Sequence, residues 1–261
     1  MIRFNYHTHT ARCGHASGED REYVESAIAA GIRVLGFSDH APMPFADGHE
    51  YRYRIPLALA DDYISSMLEL RREYAADIDI RIGFECEYYP GTFQRFLDFT
   101  AGYPLDYLIL GQHFVTGEPG IPSFAPNGDP AILRLYFDTV RAGIETGRFL
   151  YVAHPDNMPF TGDDETYASI VLPFLHRMKE LGVPMEINRL GLQTRRPYPS
   201  ERFFRLCAEV GNDVVIGVDA HSPDCLRDEA AVADCVAFAQ RFGLSPVDPW
   251  PSSSSGNAKT L

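Results

Sequence analysis

The segment His7-Thr8-His9-Thr10-Ala11-Arg12-Cys13-Gly14-His15 gathers three imidazoles in a short stretch of chain. Ile2 to Tyr6 before it alternates apolar and polar residues, the pattern of a β-strand. Side chains two apart on a strand point to one side, so a strand running on past Tyr6 aims His7 and His9 at a common point. Two converging neutral imidazoles form a pair of metal ligands. Gly14 permits a sharp turn that brings His15 to the same region. A His-x-His pair alone is equally well explained as solvated polar decoration at a strand end, since motifs this short recur by chance. Partners elsewhere in the chain decide between the two.

The chain has 9 His, and all but two of them (7, 9, 15, 40, 113, 154 and 221) stand at or just past the C-terminal end of a predicted strand. His49, in a loop, and His176, in a predicted helix, are the exceptions. Glu85 and Asp219 stand at strand ends as well. An inert cluster of so many imidazoles beside two carboxylates would need a hydrogen-bond partner for every buried polar atom. Metal ions supply those partners. One zinc ion takes about four ligands, so this set suits two or three divalent ions with a carboxylate bridging, leaving positions open to water and substrate. Zn, Mn and Fe all accept His and carboxylate, with Zn the first expectation.

Seven predicted strands position these residues: the N-terminal run to His9, then 32–40, 79–85, 105–113, 149–154, 183–188 and 213–221. Helices are predicted between them. The first runs from a cap at Ser17 or Gly18 to Gly31, and a short one follows Pro90-Gly91. The others span about 56–76, 130–147, 164–182, 200–211 and 225–242. The strand runs are mostly apolar, as expected where both faces are covered. Alternation of this kind builds a parallel α/β sheet. No Gly-x-Gly-x-x-Gly follows the first strand, which disfavours a dinucleotide-binding fold. A closed or nearly closed barrel with its function at the C-terminal strand ends fits better. The expected organisation is one domain, 1–247, followed by a Ser-rich polar tail, 248–261, expected to be disordered.

At 261 residues and 45% hydrophobic content the chain can bury the core of one large domain. Its net charge of −13 lacks the basic footprint of a nucleic-acid-binding surface. No apolar run resembles a signal peptide or spans a bilayer. The 5 Cys (13, 86, 207, 225 and 235) include no Cys-x-x-Cys. Free thiols in a reducing, cytoplasmic compartment are expected, with neither nucleic acid nor membrane as partner.

Several motifs, taken in order, resemble the polymerase-and-histidinol-phosphatase (PHP) family. They are His7-x-His9, Cys13-Gly14-His15-Ala16, Phe37-Ser38-Asp39-His40, Gly83-Phe84-Glu85, Gly111-Gln112-His113, Ala153-His154-Pro155 and Gly217-Val218-Asp219-Ala220-His221. The resemblance covers residues 1 to about 242. It implies a distorted (β/α)7 TIM-like barrel of the PHP type with a trinuclear metal centre. Carried over by motif, His7, His9, Glu85 and Asp219 hold one metal. Glu85 bridges to a second, held also by His113 and His154. His15, His40 and His221 hold the third.

The segment Glu186-Ile187-Asn188-Arg189-Leu190-Gly191-Leu192 looks most like the histidinol-phosphatase branch, which often has Asn-x-x-Gly-Leu followed directly by basic residues, one of which contacts phosphate. Here Gln193 and Thr194 intervene, so Arg195, Arg196 and Arg189 compete for that role, with Asn188 beside them as a further substrate contact. That branch also tends to place a basic residue a few positions after the His at 154, whereas Pro155 to Phe160 contains none.

The expected activity is that of a metal-dependent phosphomonoesterase of histidine biosynthesis, hydrolysing L-histidinol phosphate to L-histidinol and phosphate. A metal-bound hydroxide would attack phosphorus, with Glu85, Asp219 and His221 acting through it. Asp39 is expected to orient an imidazole, and Glu87 to lie outside the ligand set. A nuclease or proofreading module is the first rival, and the acidic charge speaks against it. A metal-binding barrel without catalysis is the second, and the intact ligand set speaks against that.

Overall fold

In a computed structural model, which describes residues 2–250, the apolar runs pair edge to edge in chain order. β1 (Phe4–Asn5) pairs in parallel with β2 (Val34–Phe37), β2 with β3 (Asp79–Cys86), and β3 with β4 (Tyr107–Leu110). β5 (Met185–Asn188) pairs with β6 (Val214–Gly217). The run expected at 149–154 joins the two ladders through one residue: Val152 bridges Leu110 on one side and Met185 on the other. The ring closes where Thr8, past β1, bridges Ala220, past β6. There His9 N–H donates to Ala220 O at 2.9 Å and Ala220 N–H to His7 O at 3.2 Å. Lower on the same seam, Asn5 Oδ1 accepts the Val218 N–H at 2.9 Å, a side chain standing in for backbone pairing. The result is the distorted (β/α)7 barrel. Its distortion lies at the fifth strand position and at the seam, where isolated bridges replace a ladder.

Every residue of β4, β5 and β6 is buried; β4 and β6 accordingly read as unbroken apolar runs, whereas β5 buries Glu186 and Asn188 among its apolar residues. The wrapping helices are α1 (Asp20–Ala29), α2 (Ala60–Glu73), α3 (Pro90–Thr100), α4 (Pro130–Glu145) and α5 (Asp164–Leu181). The short α6 (Arg189–Gln193), then α7 (Glu201–Val210), α8 (Asp224–Arg227) and α9 (Glu229–Arg241) complete the set. Local chemistry sets their ends. Asp163 caps α5 through Thr166 N–H and Ser200 caps α7 through Phe203 N–H. Gly182 and Gly211 end those helices in the left-handed conformation, at φ 64 and 78. The helix expected over 56–76 opens with a 3₁₀ turn, Leu57–Leu59, before α2. The one expected over 225–242 breaks at Asp228, whose carboxylate accepts the Ala231 N–H and starts α9.

The main core lies between barrel and helices. A second cluster, Tyr6, Tyr107, Ile109, Tyr151, Ala153 and Val215, fills the barrel interior. Strand alternation separates the two: Tyr107 and Ile109 point inward, Leu108 and Leu110 outward. Asp248 and Trp250, read from sequence as part of the tail, pack against this end of the barrel. Trp250 stacks on Tyr6 at 5.9 Å between ring centroids, and Tyr6 O–H donates to Asp248 Oδ1 at 3.1 Å. The remainder of the expected tail, 251–261, lies outside the described residues. Among the described residues no helix is long and apolar enough to cross a membrane. All five Cys are free thiols.

Candidate metal centre

The candidate ligands meet at the C-terminal rim because the strand ends deliver them there and two glycines leave them room. Glu85, the last residue but one of β3, lies under Gly111, where an added Cβ would stand 1.9 Å from Glu85 Oε1. Gly217, closing β6, does the same for Glu186: a Cβ there would stand 1.7 Å from Glu186 Oε1. His154 and Asp219 take positive φ values, 30 and 53, which side chains other than Gly seldom adopt. Strain of this kind gathers where surrounding structure holds a functional geometry.

Four buried atoms face one another without hydrogen-bond partners: His7 Nε2, His9 Nε2, Glu85 Oε2 and Asp219 Oδ1. His7 Nε2 is 3.6 Å from each carboxylate oxygen, and His9 Nε2 is 3.6 Å from Glu85 and 3.1 Å from Asp219. Metal bonds of about 2.0–2.2 Å place tetrahedral neighbours roughly 3.3–3.6 Å apart. The orphaned atoms therefore fit the corners around one ion.

The other oxygen of Glu85 faces a different group. Its Oε1 is 2.8 Å from His154 Nε2 and 3.5 Å from His113 Nε2. That is the disposition of a bridging carboxylate. On the third side, His40 Nδ1 approaches Glu85 Oε2 at 3.1 Å, and the His221 ring stacks on His9 at 4.1 Å. The tight convergences are His7–His9–Glu85, His7–His154–Asp219, His40–Glu85–His113 and His9–His40–His221. Every expected ligand except His15 belongs to one of them. The His15 ring lies 4.8 Å from His221 and 5.2 Å from His40, with its Nδ1 3.1 Å from Cys13 O. A further group, His9–Cys13–Asp39, includes a buried thiol that donates to Thr10 O and whose pKa burial raises. This is the structural role of a small apolar side chain.

The imidazoles are oriented from behind. His7 Nδ1 meets Glu186 Oε1 at 2.7 Å, His9 Nδ1 meets Asp39 Oδ1 at 3.2 Å, and His113 Nδ1 meets Glu87 Oε1 at 2.9 Å. Each contact turns the Nε2 lone pair inward. Asp39 thus orients an imidazole, that of His9. Asn188 Nδ2 donates to Glu186 Oε2 at 2.8 Å and to Asp219 Oδ2 at 3.1 Å, while its Oδ1 accepts the Gly191 N–H that starts α6. Burial alone would lower the His7 pKa, but Glu186, Asp219 and Glu85 outweigh it and raise it well above its ordinary value. Conversely, burial pushes Glu85 up, but His113, His40 and His7 hold it well below the usual carboxylate range. The rim is thus arranged for positive charge, which protons supply to imidazoles and metal ions supply better. Burial keeps His40 well below its ordinary value despite Glu85, and so neutral, the form that ligates.

A cavity of about 1090 Å³ opens over this cluster, walled by residues of the 49–54 loop, of the 114–124 loop and of the segment after α6. Among the three arginines that compete for phosphate, Arg196 lines it. Its Nη1 donates to Tyr198 O–H at 2.8 Å, and the Tyr198 ring lies 5.3 Å from that of His154. Arg195, with φ 55, lines instead a shallow outer depression beside Asp234 and Arg241. Arg189 is buried in an ion pair with Asp228. Asn188 does not line the cavity, because its amide is spent on Glu186, Asp219 and the start of α6.

The PHP domain model matches residues 5–190 of this chain. The chain belongs to the PHP family. A probable histidinol-phosphatase of Deinococcus radiodurans is 32% identical over 231 residues, covering 83% of this chain and 85% of its own length. The histidinol-phosphatase of Bacillus subtilis is 34% identical over 122 residues, covering 44% of this chain and 45% of its own. A histidinol phosphate phosphatase from Lactococcus lactis, solved with zinc, L-histidinol and phosphate, shares the fold. Its TM-score is 0.71 at 18% identity, covering 94% of this chain and 95% of that one.

In this PHP barrel the rim His, Glu and Asp groups form a divalent-metal site. Sequence reasoning missed Glu186, which holds both the His7 ring and, through Oε2, the backbone N–H of His154 at 2.9 Å. A fully buried charge inside an apolar strand was the available signal. It also missed Arg52 and Arg54, two cavity-lining cations from the loop after His40.

Proposed function

We propose that this PHP barrel is a histidinol-phosphatase that hydrolyses L-histidinol phosphate to L-histidinol and phosphate in the cytoplasm, where its thiols stay reduced. The centre takes two to three divalent ions, zinc first. The observation that carries this reading is the set of four orphaned atoms of His7, His9, Glu85 and Asp219 beneath a cavity that Arg196 lines. The named relatives of similar length support the substrate.

The ligands assigned are His7, His9, His15, His40, Glu85, His113, His154, Asp219 and His221. Bound ions supply Lewis acidity toward phosphoryl oxygen and a water acidic enough to act as nucleophile at neutral pH. Glu85 sets the spacing of the centre, since its two oxygens serve different ligand groups. Asp219 and His221 complete its far side. Arg196 presents fixed N–H donors to the phosphate from the wall, oriented by the Tyr198 hydroxyl. The aromatic walls, Tyr53 and Phe124 among them, offer flat apolar surface to an imidazole-bearing leaving group and help exclude water.

Phosphate release from L-histidinol phosphate by the metal-loaded protein tests this, with glycerol phosphate and a short oligonucleotide as competitors. Preferential release from histidinol phosphate, abolished by chelator and restored by metal, is expected. No release, or equal rates on all three, overturns the assignment.

A further inference from the structure

Arg54 ends the loop that follows His40, and its guanidinium is buried where three segments meet. Residue 54 is 8% exposed and Glu87 beside it 1%. The guanidinium grips Glu87 with a two-pronged fork, Nη1 to Oε2 at 2.6 Å and Nη2 to Oε1 at 2.8 Å. The same Oε1 faces His113 Nδ1 at 2.9 Å. On the other side, Nε donates to Glu118 Oε2 at 2.9 Å, from the loop across the cavity. The backbone is tied as well: Ile55 N–H donates to His40 O at 3.2 Å.

We propose that Arg54 is a positioning residue of the metal centre: it locks Glu87 against His113 and so sets the affinity of the metal position that His113 serves. The inference rests on the metal-centre reading above. A carboxylate with two oxygens and free rotation about its stem does not hold a ring in one orientation. Three charge-assisted donors do fix it, and two of the three come from Arg54. With Glu87 fixed, His113 keeps its proton on Nδ1 and aims Nε2 at the centre, 3.5 Å from Glu85 Oε1. Removing the guanidinium leaves Glu87 buried with one partner, free to turn away. Arg196, by contrast, donates to a neutral hydroxyl and orients no candidate ligand. A planar fork suits this task and an ammonium does not, because only the fork meets both oxygens at once.

The test is zinc affinity in the metal-depleted full chain, read by competition with a chromophoric chelator, with kcat and KM for histidinol phosphate measured alongside. Arg54→Ala should weaken one zinc equivalent about ten- to a hundredfold, leave the others at parental affinity, and lower kcat more than it raises KM. Arg54→Lys should recover part of that loss. Glu118→Ala frees the loop but spares the fork, so it should raise KM and keep parental zinc affinity. Parental zinc binding in Arg54→Ala overturns the proposal, as does an equal loss in Glu118→Ala, which would assign the effect to loop tethering. Should Arg54→Ala fail to fold, Glu87→Gln breaks the charged fork at nearly constant volume and must show the same single-equivalent loss. A parent chain that binds no zinc is a different result, and it removes the metal centre itself.

Discussion

A methyl group on Gly111 would stand 1.9 Å from Oε1 of Glu85. Gly111 follows β4 and Glu85 lies on neighbouring β3, so the absence of a side chain on one strand makes room for the carboxylate of the other. Gly111→Ala is expected to push Glu85 off the centre, at a cost of about 1–3 kcal/mol in stability for overpacking. Metal content and kcat should fall together. Thermal unfolding and zinc per chain check this, and parental values for both would show that Glu85 has space to spare.

Arg196→Ala should lower kcat/KM for histidinol phosphate about ten- to a hundredfold, the value of a charge-assisted hydrogen bond worth roughly 1.5–3 kcal/mol. Metal content should not change, since a guanidinium is no ligand. Arg195→Ala should match the parent, because Arg195 lines the outer depression and not the cavity. Steady-state kinetics on the two variants decide it. Loss in Arg195→Ala with a normal Arg196→Ala would reverse the assignment.

Asp156, two residues past His154, is buried and accepts the Ser200 N–H, while its Oδ1 has no partner. Burial pushes its pKa up to about 6. A carboxyl raised in the fold favours the native state while protonated. That contribution is fully present below the unfolded value of about 3.9 and is lost as pH rises through about 6. Two pKa units correspond to about 3 kcal/mol. In metal-free protein, urea unfolding should show Asp156→Asn gaining on the parent from pH 4 to pH 7, with a flat difference above. A difference independent of pH would mean that Asp156 is ionised throughout.

The rim was legible because strand ends bring unlike segments together in a fixed direction. His40, His113, His154 and His221 each follow an apolar run, and the structure gathers all four. What pattern does not carry is backbone conformation and distant pairing. Arg195 and Arg196 are neighbours in sequence, yet they line different surfaces where Arg195 takes φ 55. Arg54 meets Glu87 and Glu118 across 33 and 64 residues, a pairing no local periodicity encodes. The fifth strand looked like its neighbours but reduces to Val152, with the positive φ of His154 two residues on. Trp250 sits beside a Ser-rich run, and its apolar contact with Tyr6 was masked by that composition.

Counting metal per chain tests the multi-ion centre most directly. Glu85 presents Oε2 to His7 and His9 and Oε1 to His113 and His154, which one ion cannot satisfy at once. Elemental analysis of protein purified without chelator and saturated with zinc should give two to three equivalents per chain, falling in Glu85→Gln. A reproducible single equivalent under metal-replete conditions would contradict the bridged centre.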